Sequence, residues 1–216
     1  MSTIADFEVM VMAASAVAEE AHPTIVQELT RKTIKDFMRA TRIARDEVYI
    51  KAQENVHDYP LQAVDCHNIV RIEKVATLPG TCDCLPIYTE EHSAPIPATD
   101  NSGWGRGRGY YTNIVGAANK EITFSHINLQ DWIYVQYSYT LTNDACEVPD
   151  FIFDAWADTI VAGVVAQLKA RVGVANAYDF EQYQAGIHRA QVAILREHGN
   201  GRRFIKPKPF LGRRKR

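Results

Sequence analysis

Apolar and polar positions alternate from Trp132 to Leu141, and then the period changes. Ile133, Val135, Tyr137, Tyr139 and Leu141 fall on one side, and Trp132, Tyr134, Gln136, Ser138 and Thr140 on the other. A period of two carried by aromatic and β-branched residues predicts a half-buried strand over 131–142. From Phe153 the spacing becomes three and four. Phe153, Trp156, Ile160, Val164 and Leu168, with Ala157, Val161 and Val165 beside them, form one apolar face of a long helix. Between strand and helix lies Asn143-Asp144-Ala145-Cys146-Glu147-Val148-Pro149-Asp150. Pro149 suits a first helical turn, and the Asp150 carboxylate favours a helix N-terminus, so a stiff corner joins the two elements.

The flanking segments carry weaker patterns. Residues 2–21 mix Ala, Val and Met and predict a helix with a loose end. A clearer helix is predicted over 24–52, with Ile25, Val26, Leu29, Phe37, Ile43, Val48 and Ile50 as its apolar positions. Their spacing is imperfect, which predicts a break near 41–46. The stretch from Asn55 to Pro60 ends that helix, because a residue before proline avoids the helical region. Residues 66–75 alternate as a strand, with Ile69, Arg71, Glu73 and Val75 on one side and Val70, Ile72 and Lys74 on the other. Residues 79–109 are rich in Pro and Gly, and a loop of that length is usually functional or mobile. Strands are predicted at 110–115 and 121–127, at hairpin spacing, and with 131–142 they make one small antiparallel sheet. A last helix over 177–198 carries Phe180, Tyr183, Ile187 and Ile194 on one face and is expected to cap at Gly199. The short link at 173–176 makes it an antiparallel partner of the helix before it.

The fold class expected is α+β: a helical bundle from N- and C-terminal helices, an inserted small antiparallel β-sheet, and an extended basic C-terminal arm. The expected divisions are 1–65 for N-terminal helices, 66–145 for a β-rich insertion with the long loop, 146–198 for the C-terminal helix pair and 199–216 for the arm.

Composition adds little until charge is mapped. Apolar residues make up 46% and charged residues 23% of 216, an ordinary globular balance. No uncharged apolar run reaches the roughly 18 residues of a membrane span, so no membrane partner is expected. The start has no basic residue before Arg31 and does not read as a leader, and the four cysteines then predict free thiols in a reducing compartment. The net charge of −2 hides an asymmetry: residues 199–216 hold eight Lys or Arg and no acid. Removing those eight leaves sixteen bases against the 26 acids, a net of −10 for residues 1–198. A basic arm on an acidic body expects an anionic partner elsewhere.

Candidate chemistry is sparse. Cys66, His67, Cys82, Cys84 and His92 could be imagined around zinc, but structural zinc usually needs two knuckles with two to four residues between ligands, and Cys82-Asp83-Cys84 has one residue there and no second pair beside it. No metal or cofactor is expected. The run Gly103 to Gly109 lacks the strand–loop–helix setting and the Lys-Ser/Thr of a phosphate loop. Its Trp104, Arg106 and Arg108 are candidates instead for contact with a neighbouring subunit or with nucleic acid. No nucleophile spacing occurs, and acid pairs such as Glu19-Glu20 and Glu90-Glu91 read as solvated, so no enzyme is expected. The aromatic groups Trp132, Tyr134, Tyr137 and Tyr139, and Phe151, Phe153 and Trp156, are assigned to the core.

The tail is the strongest signal. Arg202, Arg203, Phe204, Lys206, Lys208, Phe210, Leu211, Arg213, Arg214, Lys215 and Arg216 interleave bases with apolar anchors, and Pro207 and Pro209 keep the chain extended. Three outcomes fit that composition: a solvated terminus, an arm that docks on another protein, and an arm that contacts DNA.

The run from Tyr137 to Leu168, YSYTLTNDACEVPDFIFDAWADTIVAGVVAQL, resembles the signature of head-to-tail adaptor (connector) proteins of tailed bacteriophages. There a strand ends in a Cys-x-Val-Pro-like corner, followed by a helix patterned like Ile160, Gly163 and Leu168. Asp58-Tyr59-Pro60-Leu61 with Asn68 to Val75 is similar to the family's first strand. Tyr178, Phe180, Tyr183 and Ile187 fit its terminal helix. The resemblance covers most of 25–198, and the loop at 103–109 and Cys82-Asp83-Cys84 lie outside the pattern. It implies a non-catalytic virion protein at the neck of the capsid vertex, assembled in the host cytoplasm. It implies a homo-oligomeric ring, commonly dodecameric, beneath the portal protein. Tail or nozzle proteins attach below, genomic DNA passes through the lumen, and the C-terminal arm docks on the portal through its bases and apolar anchors from Arg202 to Arg216. The alternatives are another neck, tail-completion or tail-tube component, or a nucleic-acid-binding protein that uses the basic tail.

Overall fold

The computed structural model describes residues 2–53, 56, 58–62, 67–78, 87–88, 90–91, 109–114, 119–124 and 132–201. Along them run β1 (Ser2–Thr3), α1 (Ile4–Ala14), α2 (Ala16–Glu19), α3 (Pro23–Thr41), β2 (Arg45–Lys51), β3 (Asp58–Gln62), β4 (His67–Leu78), β5 (Ile87–Tyr88), β6 (Glu90–Glu91), β7 (Gly109–Ile114), β8 (Asn119–Phe124), β9 (Trp132–Leu141), β10 (Glu147–Val148), α4 (Asp150–Arg171) and α5 (Ala177–Gly201). The chain is α+β: helices from both ends pack together, and two small, mainly antiparallel sheets lie between them in sequence.

α1 is anchored rather than loose. The Asp6 backbone N–H donates to the Thr3 hydroxyl, and the Asp6 carboxylate accepts from the Thr3 backbone N–H at 2.7 Å, a reciprocal cap that satisfies two orphan donors. Those Thr3 donors, the backbone N–H foremost, hold the Asp6 carboxyl below its ordinary value. Phe7 and Val11 are fully buried one turn apart, and Phe7 meets Phe153 of α4 edge-on at 5.0 Å between centroids.

α3 stops at the expected break, and the chain continues as a strand instead of more helix. Arg42 takes the left-handed conformation (φ 54°), its N–H closes on the Met38 carbonyl, and β2 begins at Arg45. Ile25, expected in the core, is exposed, and the buried face of α3 is Val26, Leu29, Thr30, Thr33, Ile34, Phe37 and Met38. The sheets therefore begin well before residue 66, and the N-terminal helices end at Thr41. Asp58-Tyr59-Pro60, where the proline was expected to end a helix, belongs to β3, an edge strand where a proline's missing N–H costs no ladder bond.

β9 is a central strand in the order β2-β9-β4-β5, and β7 and β8 belong to a second sheet ordered β3-β8-β7-β6. The single sheet expected from sequence is thus two, plus the short pair β1-β10, and β6 runs parallel to β7. The inward set of β9 matches the alternation, with Ile133, Val135, Tyr137, Tyr139 and Leu141 buried. Ser138 and Thr140 on the other face are buried too, because α3 covers that end, and the Thr140 hydroxyl donates to the Lys35 carbonyl at 3.2 Å. In β4 the expected sides fail. Register shifts between Ile69 and Arg71 and between Ile72 and Lys74 each insert one residue, so Ile69, Ile72 and Val75 all face inward at a spacing of three.

α4 is the central helix of the bundle. Ile152, Ile160, Val164, Val165, Ala166 and Leu168 are buried, and α1, α2, α3 and α5 all pack on it. By length and hydropathy (1.4 over its best window) it is the one helix among the described residues apolar enough to cross a membrane, and 56% of that window is buried inside the protein. Pro149 sits at the N-cap, one residue before the first turn assigned to it, and Asp150 opens the helix. Gly163 and Gly186 mark where α3, α4 and α5 close up. A Cβ on Gly163 would lie 2.7 Å from both Thr33 Cγ2 and Tyr183 Cδ2, and one on Gly186 would lie 2.2 Å from Thr159 Cγ2. α5 runs through Gly199 to Gly201 instead of capping there, and Phe180 is exposed; its packed face is Tyr183, Gly186, Ile187, Ala190 and Ile194.

Thr33 ties the three helices by hydrogen bonds. Its hydroxyl donates to the Leu29 carbonyl and accepts from Gln167 Nε2 at 2.7 Å, while its carbonyl accepts from the Tyr183 hydroxyl at 3.4 Å. Burial pushes the Tyr183 phenol up to about 12, so it stays a donor at any physiological pH. Thr33→Val keeps the shape but removes the nearer acceptor of the Gln167 amide, which keeps the Gly163 carbonyl at 3.3 Å. A loss of about 1–2 kcal/mol, read as a lower denaturation midpoint with unchanged slope, is the expected outcome.

Candidate functional site

The strand-to-helix corner, residues 142–149, is held from two directions. From α3, Arg31 Nε donates to the Ala145 carbonyl at 2.9 Å and Lys35 Nζ donates to Asn143 Oδ1. From the N-terminus, the Ile4 N–H donates to the Cys146 carbonyl at 3.0 Å, Ser2 pairs with Val148, and the Ser2 hydroxyl donates to Asp150 Oδ1 at 3.0 Å. Ala145 and Val148 point inward, and Cys146 is a free, exposed thiol. The corner is a rigid surface feature, since Asn143, Ala145, Cys146 and Val148 are all anchored to other elements.

Beside it α3 presents an open cleft of about 340 Å³ lined by Glu28, Arg31, Lys32, Lys35, Asp36, Arg39 and Asn143. Arg31, Lys35 and Arg39 recur at every fourth residue, which places them on one stripe of the helix, with Lys32 alongside. Four cations against two carboxylates make this face locally basic on an acidic body. Guanidinium and ammonium groups in that number suit recognition of carboxylate or phosphate. The sequence reading above does not single these residues out; the four-residue recurrence of Arg31, Lys35 and Arg39 is the signal that marks them.

A second surface lies at the tip of the α4–α5 hairpin. Gly173 adopts φ +72°, the Val174 N–H reaches the Lys169 carbonyl at 2.9 Å, and Lys169 pairs with Asp179 at 2.6 Å. Around this locked turn Val172, Val174, Tyr178 and Phe180 are exposed. Phe151 and Trp132, assigned to the core by their aromatic neighbourhood, are exposed as well. Phe153 and Trp156 are partly buried, with Trp156 against Phe37 at 5.5 Å.

The sheet that holds β9 carries a cluster of titratable groups, Asp46, Tyr137, Tyr139 and His67. The Tyr137 hydroxyl donates to Asp46 Oδ2 at 3.1 Å, and His67 stacks on Tyr139 at 4.3 Å between centroids. Burial, with the Asp46 carboxylate adding to it, pushes Tyr137 up to about 12 and raises Tyr139 as well. Burial lowers the His67 imidazole below its ordinary 6.5, against an opposing pull from Asp46. The folded chain therefore disfavours protonated His67. Its contribution is fully present above about pH 6.5 and is lost as pH falls from there through the lowered folded value. His67→Gln is expected to show a smaller drop in thermal midpoint between pH 7.5 and pH 5 than the wild type; an equal drop would assign the acid sensitivity elsewhere.

The tail residues from Arg202 to Arg216, the loop residues Trp104, Arg106 and Arg108, and Cys66, Cys82, Cys84 and His92 lie outside the described residues. Among the described residues no three His, Cys, Asp or Glu side chains come together as a metal set. No protein-family model matches the chain, and no match to a curated protein is found.

Proposed function

We propose that the protein is a structural head-to-tail adaptor of a tailed bacteriophage. Copies assemble as a ring beneath the portal protein, join the capsid to tail or nozzle proteins, and leave a lumen for the genome. The observation that carries this is the unit from Tyr137 to Leu168, where the resemblance lies. It is the centre of the fold: β9 is an inner strand of its sheet, α4 the middle helix of its bundle, and the corner between them is pinned by Arg31, Lys35 and β1. Gly163, a position of the family pattern, sits where a side chain would collide with Thr33 and Tyr183.

Charge supports the same assignment. A ring needs two different faces per copy, one for each neighbour, and a body of net −10 lining a channel keeps DNA sliding rather than adhering. The basic tail is the extended arm that clamps the portal, with Phe204 and Phe210 as anchors and its bases on an acidic groove. Sedimentation tests this. Purified chain mixed with tailless, portal-bearing capsids should pellet in several copies per portal; chain that stays in the supernatant rejects the adaptor role.

A further inference from the structure

Two helical stripes of opposite sign face outward on this chain without meeting each other. On α3, Lys32 and Arg39 are exposed, and Arg31 and Lys35 are half-buried beside them. On α4, Asp154 and Asp158 are exposed one turn apart, with exposed Phe151 and Ala155 on the same side. Neither pair of exposed charges has a hydrogen-bonded or ionic partner among the described residues, although α3 and α4 pack directly together through their other faces. Asp154 and Asp158 are four residues, about 6 Å, apart along α4, and Lys32 and Arg39 are seven residues, about 10 Å, apart along α3, with Lys35 between them.

We infer that the basic face of α3 in one copy docks on the acidic face of α4 in the next copy, and that this contact is the lateral interface of the assembly. The inference rests on the adaptor role. Complementarity identifies the occupant. The α3 cleft takes carboxylates at helical spacing, and the exposed α4 face supplies them from a second copy of the same chain. The contact is heterologous, since each copy offers a different patch to each neighbour, so repeating it extends past a dimer, to a ring where the rotation between neighbours closes. Phe151, exposed at the N-terminal end of the α4 stripe, gives the contact an apolar anchor beside the charges. Genomic DNA is the other polyanion the α3 face could hold, and it is an outcome of the test.

Two variants of the full chain decide it. Lys32→Glu/Arg39→Glu makes both faces acidic, and Asp154→Lys/Asp158→Lys makes both basic. All four positions are exposed, so each variant should keep the wild-type circular dichroism and melting. Alone, each should assemble only at a concentration about a hundredfold higher than wild type, by mass photometry in about 100 mM salt. Mixed in equal amounts, the two should co-assemble, because the acidic faces of one variant meet the basic faces of the other. Variants that assemble like wild type overturn the interface, and so do variants that stay monomeric in the mixture. A Lys32→Glu/Arg39→Glu variant that loses duplex binding but assembles normally also overturns it and assigns the face to DNA. A wild-type chain that never assembles, even with portal present, removes the adaptor role and the interface together.

Discussion

Gly186→Ala should lower the thermal midpoint by about 6–12 °C. A methyl group there starts 2.2 Å from Thr159 Cγ2 and 2.4 Å from its Oγ1. Thr159 is buried and β-branched, so its side chain has no empty rotamer to retreat into. α5 must lift off α4, which separates Tyr183 and Ala190 from their neighbours along the seam. Overpacking of that kind costs about 3 kcal/mol, and in a chain of this size each kcal/mol moves the midpoint by about 2–4 °C. Thr159→Ala in the same chain deletes the two nearest atoms, and the double variant should recover part of the loss. Equal midpoints for Gly186→Ala and wild type would mean that α4 and α5 do not approach this closely. A double variant no better than the single one would place the strain elsewhere.

Deleting residues 202–216 should leave the folded body intact and weaken association with the portal by about a hundredfold or more. The deletion removes all eight basic residues of the segment 199–216 and the apolar residues between them. On the proposed function, eight cations in a segment that holds Pro207 and Pro209 would supply steering and affinity toward an acidic groove, and Phe204 and Phe210 would add desolvated contacts. An affinity loss of about a hundredfold or more is expected, with a melting curve like that of the full chain. Substituting only Phe204 and Phe210 by Ala should cost less in on-rate than in off-rate, because the charges that steer remain. Undiminished portal binding by the shortened chain would assign the arm to some other partner.

Much of the architecture was legible where one period dominated. β9 and α4 were, because Ile133 to Leu141 alternate without interruption and Phe153 to Leu168 hold the helical spacing. β2 was hidden because no Gly or Pro punctuates its start: Arg42 makes the left-handed turn that glycine usually makes, and Val48 and Ile50 fit a continued helix as well as a strand. β4 is legible as a strand but not in its facing, because two bulges cannot be seen in a count of alternating residues. Pairing between strands far apart in sequence is also invisible there, so adjacency in the chain places β9 beside β8, whereas it lies between β2 and β4. Aromatic character misplaces Phe151, Trp132 and Phe180, which are exposed despite their size. The basic stripe on α3 is readable in the spacing of Arg31, Lys35 and Arg39, but charge on a helix is so often mere solvation that only the pinned corner beside it sets it apart.

The central claim is that many copies of this chain form a ring on a portal. Negative-stain microscopy of purified portals, averaged with and without the full-length chain, tests it most directly. The account predicts an added disc on the tail-facing side of the portal, with rotational symmetry and a mass of several 24.3 kDa copies. Portals that look the same with and without the chain, at concentrations where it is folded and in excess, would contradict it.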